Sequence, residues 1–291
     1  MQKIMPCLWF DNEAEPAAKF YTSIFKNSKI LEIAPYTVET PSNKKIGSVM
    51  TVVFKINGQK FMGLNGGTFF KANPSVSFFV NCKTKAEVDS LYNKLSKNGE
   101  VMMALDKYPF SERYAFIKDK FGVSWQIMLS KGKQVITPCF LFVGKDIGKA
   151  EAAIKLYTKV FKKGKINTMM KYGNNQGGKP GTVMNSTFSI EGQGFMAMDG
   201  MGPHKFAFNE ATSFIIECKD QKEIDYFYGK LSAVKQAEIC GWLKDKFGIS
   251  WQVVTPHFEK LMRGKNAKKV MQAVLEMKRI NIKKLEQAAK N

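Results

Sequence analysis

Two histidines and three arginines are all that the 291 residues contain. Imidazole is the commonest metal ligand, so a histidine-built metal centre has little to draw on. Specific phosphate or base readout leans on the arginine fork, so a reader of base sequence is disfavoured. No run of 18 apolar residues occurs, which argues against a membrane-spanning helix. The opening MQKIMPCLWFDNE has neither a continuous apolar core nor a small-residue cleavage site, so no secretory signal is expected. The five cysteines, Cys7, Cys82, Cys139, Cys218 and Cys240, form no CxxC pair. A zinc ribbon or a thioredoxin-type motif is therefore disfavoured. An odd thiol count without a signal fits a reduced, cytoplasmic protein.

What is present is lysine. The net charge is +20, and the lysines spread over the whole chain with some enrichment after Lys260. Attraction to nucleic acid or to an anionic ligand is one reading; a solvated, lysine-rich surface is the other, and the even spread favours it. Hydrophobic residues make up 44% and charged residues 24%, the proportions of a globular protein. The length suits two domains.

The chain says most things twice. KDKFGVSWQIM (118–128) returns as KDKFGISWQVV (244–254), and MPCLWF (5–10) as TPCFLF (137–142). KFYTSIFKNSKI (19–30) returns as KLYTKVFKKGKI (155–166), and FKINGQKFMGLNG (54–66) as FSIEGQGFMAMDG (188–200). SFFVNCKTKAEVDSLYNKLS (77–96) returns as SFIIECKDQKEIDYFYGKLS (213–232). A repeat this long means two whole domains rather than a solenoid. Cys7 pairs with Cys139 and Cys82 with Cys218 in this register, each as a small buried hydrophobe on a strand; Cys240 has no counterpart.

Each half reads β-α-β-β-β, twice. In the first half the strands fall at 1–10, 29–36, 47–56, 59–65, 75–82, 100–105, 113–119 and 123–129. The helices fall at 13–25 and 84–96, on apolar stripes at i, i+3, i+4 spacing. Asn57-Gly58 predicts a two-residue hairpin. KDKFG predicts the turn of the last hairpin, with Gly122 at positive φ. Domains are expected over 1–131 and 132–256. A basic helical tail, 257–291, follows; its apolar stripe docks it on the body, and Asn281 is its expected helix cap.

LWFDNEAEPAAKFYTSIF, FMGLNGG, FNEATSFIIECKDQKEIDYFYGKLS, CGWLKDKFGISWQVV and KVMQAVLEMKRINIKKLEQA together resemble the PhnB-like branch of the vicinal-oxygen-chelate superfamily, the glyoxalase/bleomycin-resistance/dioxygenase fold. That branch often carries the label 3-demethylubiquinone-9 3-methyltransferase. The resemblance covers nearly the whole chain. It implies an α+β fold with a curved eight-stranded sheet in each half, built from two βαβββ modules, whose concave face lines a cleft. Single-domain relatives often pair as two subunits, and a tandem chain could build that pairing internally. A monomer with intramolecular pairing, or a homodimer, is the expectation.

Metal-dependent members hold a divalent ion with His and Glu on the concave face. The C-terminal Glu position falls here on Gln126 and Gln252, and a His position on Ser77 and Ser213. The first-strand ligand falls near Met5 or Pro6 and near Thr137 or Pro138, and the remaining Glu position near MGLN and AMD, where Asp199 alone could bind a metal. Amide and hydroxyl are weak ligands for transition metals, so neither metal nor cofactor is expected. A methyl donor of the S-adenosylmethionine kind needs a strand, a glycine-rich turn and an apolar helix in succession. The glycine-rich pieces 173–181 and 199–203 read instead as hairpin loops.

Strand alternation puts Gln126 with Ser124 on one face and Trp125 with Ile127 on the other, and likewise Gln252 with Ser250 opposite Trp251. The tryptophans go to the core and the glutamines face the cleft. There each amide either meets a ligand or satisfies its neighbours, Ser77 or Ser213 among them. Asn65, Asp199, Tyr114, Phe116, Cys240 and Trp242 complete the candidate ligand-binding set. The leading expectation is a metal-independent small-molecule binding protein, with no catalytic residue assigned. The alternative is a transferase or lyase acting on a small or quinone-like aromatic metabolite through Asp199, His204 and Cys240. Nucleic-acid binding through lysine charge is the third reading.

Overall fold

The computed structural model describes residues 2–132 and 135–290; the expected strand start at Met1 lies outside them. The first half runs β1 (Ile4–Phe10), α1 (Ala14–Ile24), β2 (Lys29–Pro35), β3 (Val49–Ile56), β4 (Gln59–Asn65), β5 (Val76–Cys82), α2 (Lys85–Leu95), β6 (Glu100–Tyr108), β7 (Ser111–Lys118) and β8 (Ser124–Leu129). The second runs β9 (Ile136–Phe142), α3 (Ala150–Val160), β10 (Lys165–Lys171), β11 (Val183–Ile190), β12 (Gln193–Asp199), β13 (Thr212–Glu217), α4 (Gln221–Leu231), β14 (Trp242–Lys244) and β15 (Ser250–Val254). The tail holds α5 (Pro256–Met262), α6 (Ala267–Leu275) and α7 (Ile282–Lys290). No described helix is long and apolar enough to cross a membrane.

Local chemistry explains the repeats. Thr84 accepts from the Glu87 amide at the start of α2, and Asp220 accepts from the Glu223 amide at the start of α4; each glutamate in turn accepts from the amide just before its cap. Both helices thus start on a capping-box-like device that satisfies otherwise orphaned amides. Asn57 and Gly58 both have positive φ, as a tight β3–β4 hairpin requires, and Glu191 and Gly192 do the same between β11 and β12. Gly122 closes the KDKFG turn with its amide on the Asp119 carbonyl at 2.9 Å.

The strands form two sheets, ordered β14-β15-β13-β1-β4-β3-β2 and β10-β11-β12-β9-β5-β8-β7-β6. Each sheet joins one module from each half, through antiparallel β1–β13 in the seven-stranded sheet and β5–β9 in the eight-stranded one. The sheets therefore cross the repeat boundary, where a sheet within each half was expected. The two large hydrophobic cores follow the repeat instead, apart from Ile4, Val76 and Ile136, each of which packs in the core of the other half. One gathers first-half residues such as Leu8, Phe54, Phe78 and Trp125 around α1 and α2. The other gathers second-half residues such as Phe140, Phe188, Phe214 and Trp251 around α3 and α4, joined by Val270, Val274, Met277, Ile280 and Leu285 of the tail.

The seven-stranded sheet lacks a counterpart of β6. Only seven residues, 233–239, separate Ser232 from Cys240, against seventeen, 97–113, between Ser96 and Tyr114. That is too short for a further strand and its turn. The tail covers the bare edge: the Cys240 amide donates to Met277 O at 2.6 Å and the Gly241 amide to Lys278 O at 2.8 Å. Of the two glycine-rich pieces, residues 173–181 do join the paired strands β10 and β11. Residues 199–203 do not turn a hairpin, because β12 and β13 lie in different sheets and the segment opens the passage between them.

Candidate functional site

Ser77 on β5 faces Cys139 on β9, and Phe79 faces Gln126 on β8. In the other sheet Ser213 on β13 faces Cys7 on β1, and Ile215 faces Gln252 on β15. Residues directly opposite share a face, so each sheet carries a Gln–Ser–Cys centre on the side away from its helices. Gln126 Nε2 donates to Ser77 Oγ and Gln252 Nε2 to Ser213 Oγ, both at 2.9 Å. Cys7 and Cys139 are thus the first-strand residues that reach these centres, one or two positions beyond the Met5–Pro6 and Thr137–Pro138 expectation. The signal for them was their repetition in both copies.

The opposite face is sealed. Trp125 and Trp251 are fully buried. Trp125 Nε1 and Tyr21 Oη both donate to Asp119 Oδ2 at 2.8 Å, and the amides of Phe121 and Val123 donate to Oδ1. Asp245 repeats this with Trp251, Tyr157, Phe247 and Ile249. The Asp of KDKFG is therefore a buried anchor as well as the start of a turn.

The two centres differ in one partner. Tyr114 Oη donates to Gln126 Oε1, so both ends of that amide are engaged. The position matching Tyr114 holds Cys240 at positive φ, and among the described residues no donor reaches Gln252 Oε1. Beside Gln252 stands an aromatic wall. Trp242 lies opposite it across β14–β15, the Trp9 and Trp242 rings meet edge-on at 6.0 Å, and Trp9 meets Phe70 at 5.0 Å. Trp9 Nε1 donates to Gly67 O at 2.7 Å. Its ring lies where a Cβ on Gly66 would sit, 2.1 Å from the nearest ring atom, so only glycine lets it rest there. Met5, Cys7 and Ile215 form the floor with Val53, Met62, Leu64 and Val254. At the rim, Glu32 stands opposite Val53, and Arg263 Nη2 at the end of α5 reaches Glu32 Oε2 at 2.7 Å. The tail is thus tied down beside this face. Around Gln126 the surface is richer in methionine: Phe79, Tyr114 and Cys139 pack with Met103, Phe116, Met128, Met196 and Met198.

Burial pushes the Cys7 thiol up to about 11, with Gln252 and Ser213 pulling it partly back. Burial likewise raises Cys139, Cys240 and Tyr114. None of these supplies a ready thiolate or phenolate near neutral pH. Amide and hydroxyl are weak ligands for a divalent transition ion, and no group of three or more His, Cys, Asp or Glu comes together among the described residues.

Of the expected set, Gln126, Ser77, Tyr114 and Phe116 come together in one sheet, and Gln252, Ser213 and Trp242 in the other. Asn65 and Asp199 join neither. Asn65 Oδ1 accepts from the Ala14 amide at 2.8 Å, and its Nδ2 donates to Val49 O. Asp199 accepts from the amides of Gly148 at 2.7 Å and Val183 at 2.8 Å. Both staple the start of a helix on the opposite face. Cys240 sits under the tail at the sheet edge, His204 Nε2 lies 3.1 Å from Met201 O in a loop, and His257 Nε2 pairs with Glu286 at 3.2 Å. Asp199, His204 and Cys240 are thus held at separate stations by local partners.

The family model described as 3-demethylubiquinone-9 3-methyltransferase matches the chain twice, over residues 2–128 and 134–254. No curated protein matches it. Among solved structures, a putative 3-demethylubiquinone-9 3-methyltransferase, PhnB protein, from Bacillus cereus is 40% identical, covering 44% of this chain and 100% of that one, with a TM-score of 0.41. A protein from Staphylococcus aureus is 35% identical, covering 44% of this chain and 97% of that one, with a TM-score of 0.19. Glyoxalase I from Zea mays, 12% identical, covers 86% of this chain and 91% of that one with a TM-score of 0.53, a likeness of fold alone. With the family's domain matched in both halves, the chain belongs to the 3-demethylubiquinone-9 3-methyltransferase (PhnB-like) family, as a tandem duplication.

Proposed function

We propose that this protein binds a small planar molecule without a metal ion, at the Gln252 centre. The observation that carries the reading is Gln252 Oε1, an acceptor with no protein donor among the described residues, set beside the Trp9–Trp242–Phe70 wall. A ring stacked on that wall and donating a hydroxyl or N–H to Gln252 would complete the amide. The family description names a demethylated quinone as substrate, and a phenol or hydroquinone has this shape and this donor. Binding is favoured over turnover because Gln252, Ser213 and Cys7 offer no base at neutral pH. Gln252 is only 8% exposed, and the Arg263–Glu32 pair stands at the rim of the same face.

The test is tryptophan fluorescence titration with hydroquinones and other planar phenols. Saturable quenching that Gln252→Leu abolishes and Gln126→Leu leaves intact is the expected result. Equal binding by the Gln252→Leu variant would overturn the assignment, and a stoichiometric divalent ion in the purified protein would overturn its metal-free part.

A further inference from the structure

The β6–β7 hairpin exists only in the first half, and it builds a groove that the second half lacks. The groove, of about 990 Å³, is lined by Tyr108 and Phe110 of the hairpin, by Lys107 and Glu112 beside them, and by Lys83 and Lys131 beyond the ends of β5 and β8. It is separate from the Gln252 centre, which lies in the other sheet.

Three observations bear on what it holds. Phe110 leaves 60% of its surface exposed at the hairpin tip, where a two-residue turn needs no aromatic. Its ring is not loose: it stacks on Tyr108 at 5.7 Å and 21°, and meets the buried Tyr114 edge-on at 4.9 Å. A fixed aromatic platform therefore faces solvent. The charges around it are unbalanced. Lys107 is tied to Glu112 at 2.8 Å, while Lys83 and Lys131 have no carboxylate partner among the described residues. Two free ammonium groups beside a rigid aromatic platform complement a ring that carries an anionic group. The volume is that of a small-molecule site.

We infer that this groove is a second binding site, for an anionic aromatic small molecule such as an aromatic carboxylate, sulfonate or phosphate. The ring lies on Phe110 and the anion meets Lys83 and Lys131. It is independent of the function proposed for the Gln252 centre.

The experiment titrates the full-length protein with the anionic dye anilinonaphthalene sulfonate and with neutral phenylnaphthylamine. Wild type, Phe110→Ala and the double variant Lys83→Gln with Lys131→Gln are compared. The expected result is about tenfold weaker binding of both dyes in Phe110→Ala. In the double lysine variant the sulfonate alone weakens, again about tenfold. All substituted groove residues are exposed, so the variants keep their fold, and the lysine pair supplies a test independent of Phe110. Sulfonate binding that neither groove variant weakens would overturn the site. Equal affinity for the neutral dye would overturn its anionic preference. A single-stranded oligonucleotide that displaces the sulfonate at equal or lower concentration would overturn the small-molecule assignment in favour of nucleic acid.

Discussion

Cys7 stands directly opposite Ser213 across the antiparallel β1–β13 pair, although the two come from different halves of the chain. Cys139 and Ser77 repeat the relationship across β5–β9. Each Gln–Ser–Cys centre therefore takes its thiol from one copy of the repeat and its amide and hydroxyl from the other. Neither copy owns a complete centre.

Burial fixes the reactivity of the thiols. Cys7, Cys82, Cys139 and Cys218 are buried, and only Cys240 is partly exposed. Burial pushes Cys7 to about 11 and Cys218 to about 12. Titration of the native protein with a thiol-reactive chromogenic disulfide near pH 8 should modify Cys240 alone. Full denaturation should release all five, and Cys240→Ser should remove the native signal.

Asp119 and Asp245 each accept four hydrogen bonds inside the fold. Asp119→Ala leaves the Tyr21 hydroxyl and the Trp125 indole N–H buried without an acceptor. The expected loss is about 3 kcal/mol or more in urea unfolding. Asp119→Asn should lose less, because one carbonyl oxygen remains to accept.

Tyr114 completes Gln126, and removing its hydroxyl tests that role. Tyr114→Phe keeps the ring among Tyr108 and Phe110 but leaves Gln126 Oε1 without its donor. A loss of about 1–3 kcal/mol is expected. An equal loss from Tyr108→Phe, whose hydroxyl is bound to Ala104 O, would show that the Gln126 bond is not special.

Glu151 has Lys155 at 2.7 Å and Lys171 at 2.6 Å. Hydrogen bonds from these two lysines hold its carboxyl at about 2, below the usual 4.5. A depressed carboxyl stabilises the fold above its unfolded value and loses that share as pH falls through its folded value. Glu151→Gln should therefore be less stable than wild type near pH 6, by no more than about 1 kcal/mol for such surface pairs. The gap in melting temperature should close between pH 4.5 and pH 2.

Leu285 of α7 is fully buried in the second core. Leu285→Ala is expected to cost about 2–5 kcal/mol in chemical unfolding. Because Met277 and Lys278 accept from the Cys240 and Gly241 amides, loosening the tail should also speed hydrogen exchange at those two positions. The Lys118 amide of the first half, far from the tail, should be unaffected.

Much of this was legible in the chain. The burial of Trp125 and Trp251 followed from strand alternation, although the rings packed on them, such as Tyr21 and Tyr157, lie far along the chain; the Asn57-Gly58 hairpin, the KDKFG turn and the cap at Asn281 rest on contacts close in sequence. So does the sharing of a face by Gln126 and Ser124, which follows from strand alternation. The candidate site was legible only where strand register decided it. Asn65 and Asp199 sit on strands beside the cleft, yet alternation turns them to the helix side, where the amides of Ala14 and Gly148 take them. Cys7 and Cys139 read as packing because a thiol's partners across a sheet leave no local pattern.

By itself the sequence determined two copies of a βαβββ pair, their turns and caps, and a lysine-rich, histidine-poor chemistry. Only the tertiary structure decided that the sheets cross the repeat while the bulk of each large core stays within one copy. Pairing between β1 and β13 is set by edge hydrogen bonds between residues some two hundred positions apart, which no local periodicity records. It likewise decided which glutamine is left open. Gln126 and Gln252 sit in near-identical stretches, and what separates them is a tyrosine hydroxyl on a neighbouring strand that one copy has and the other lacks.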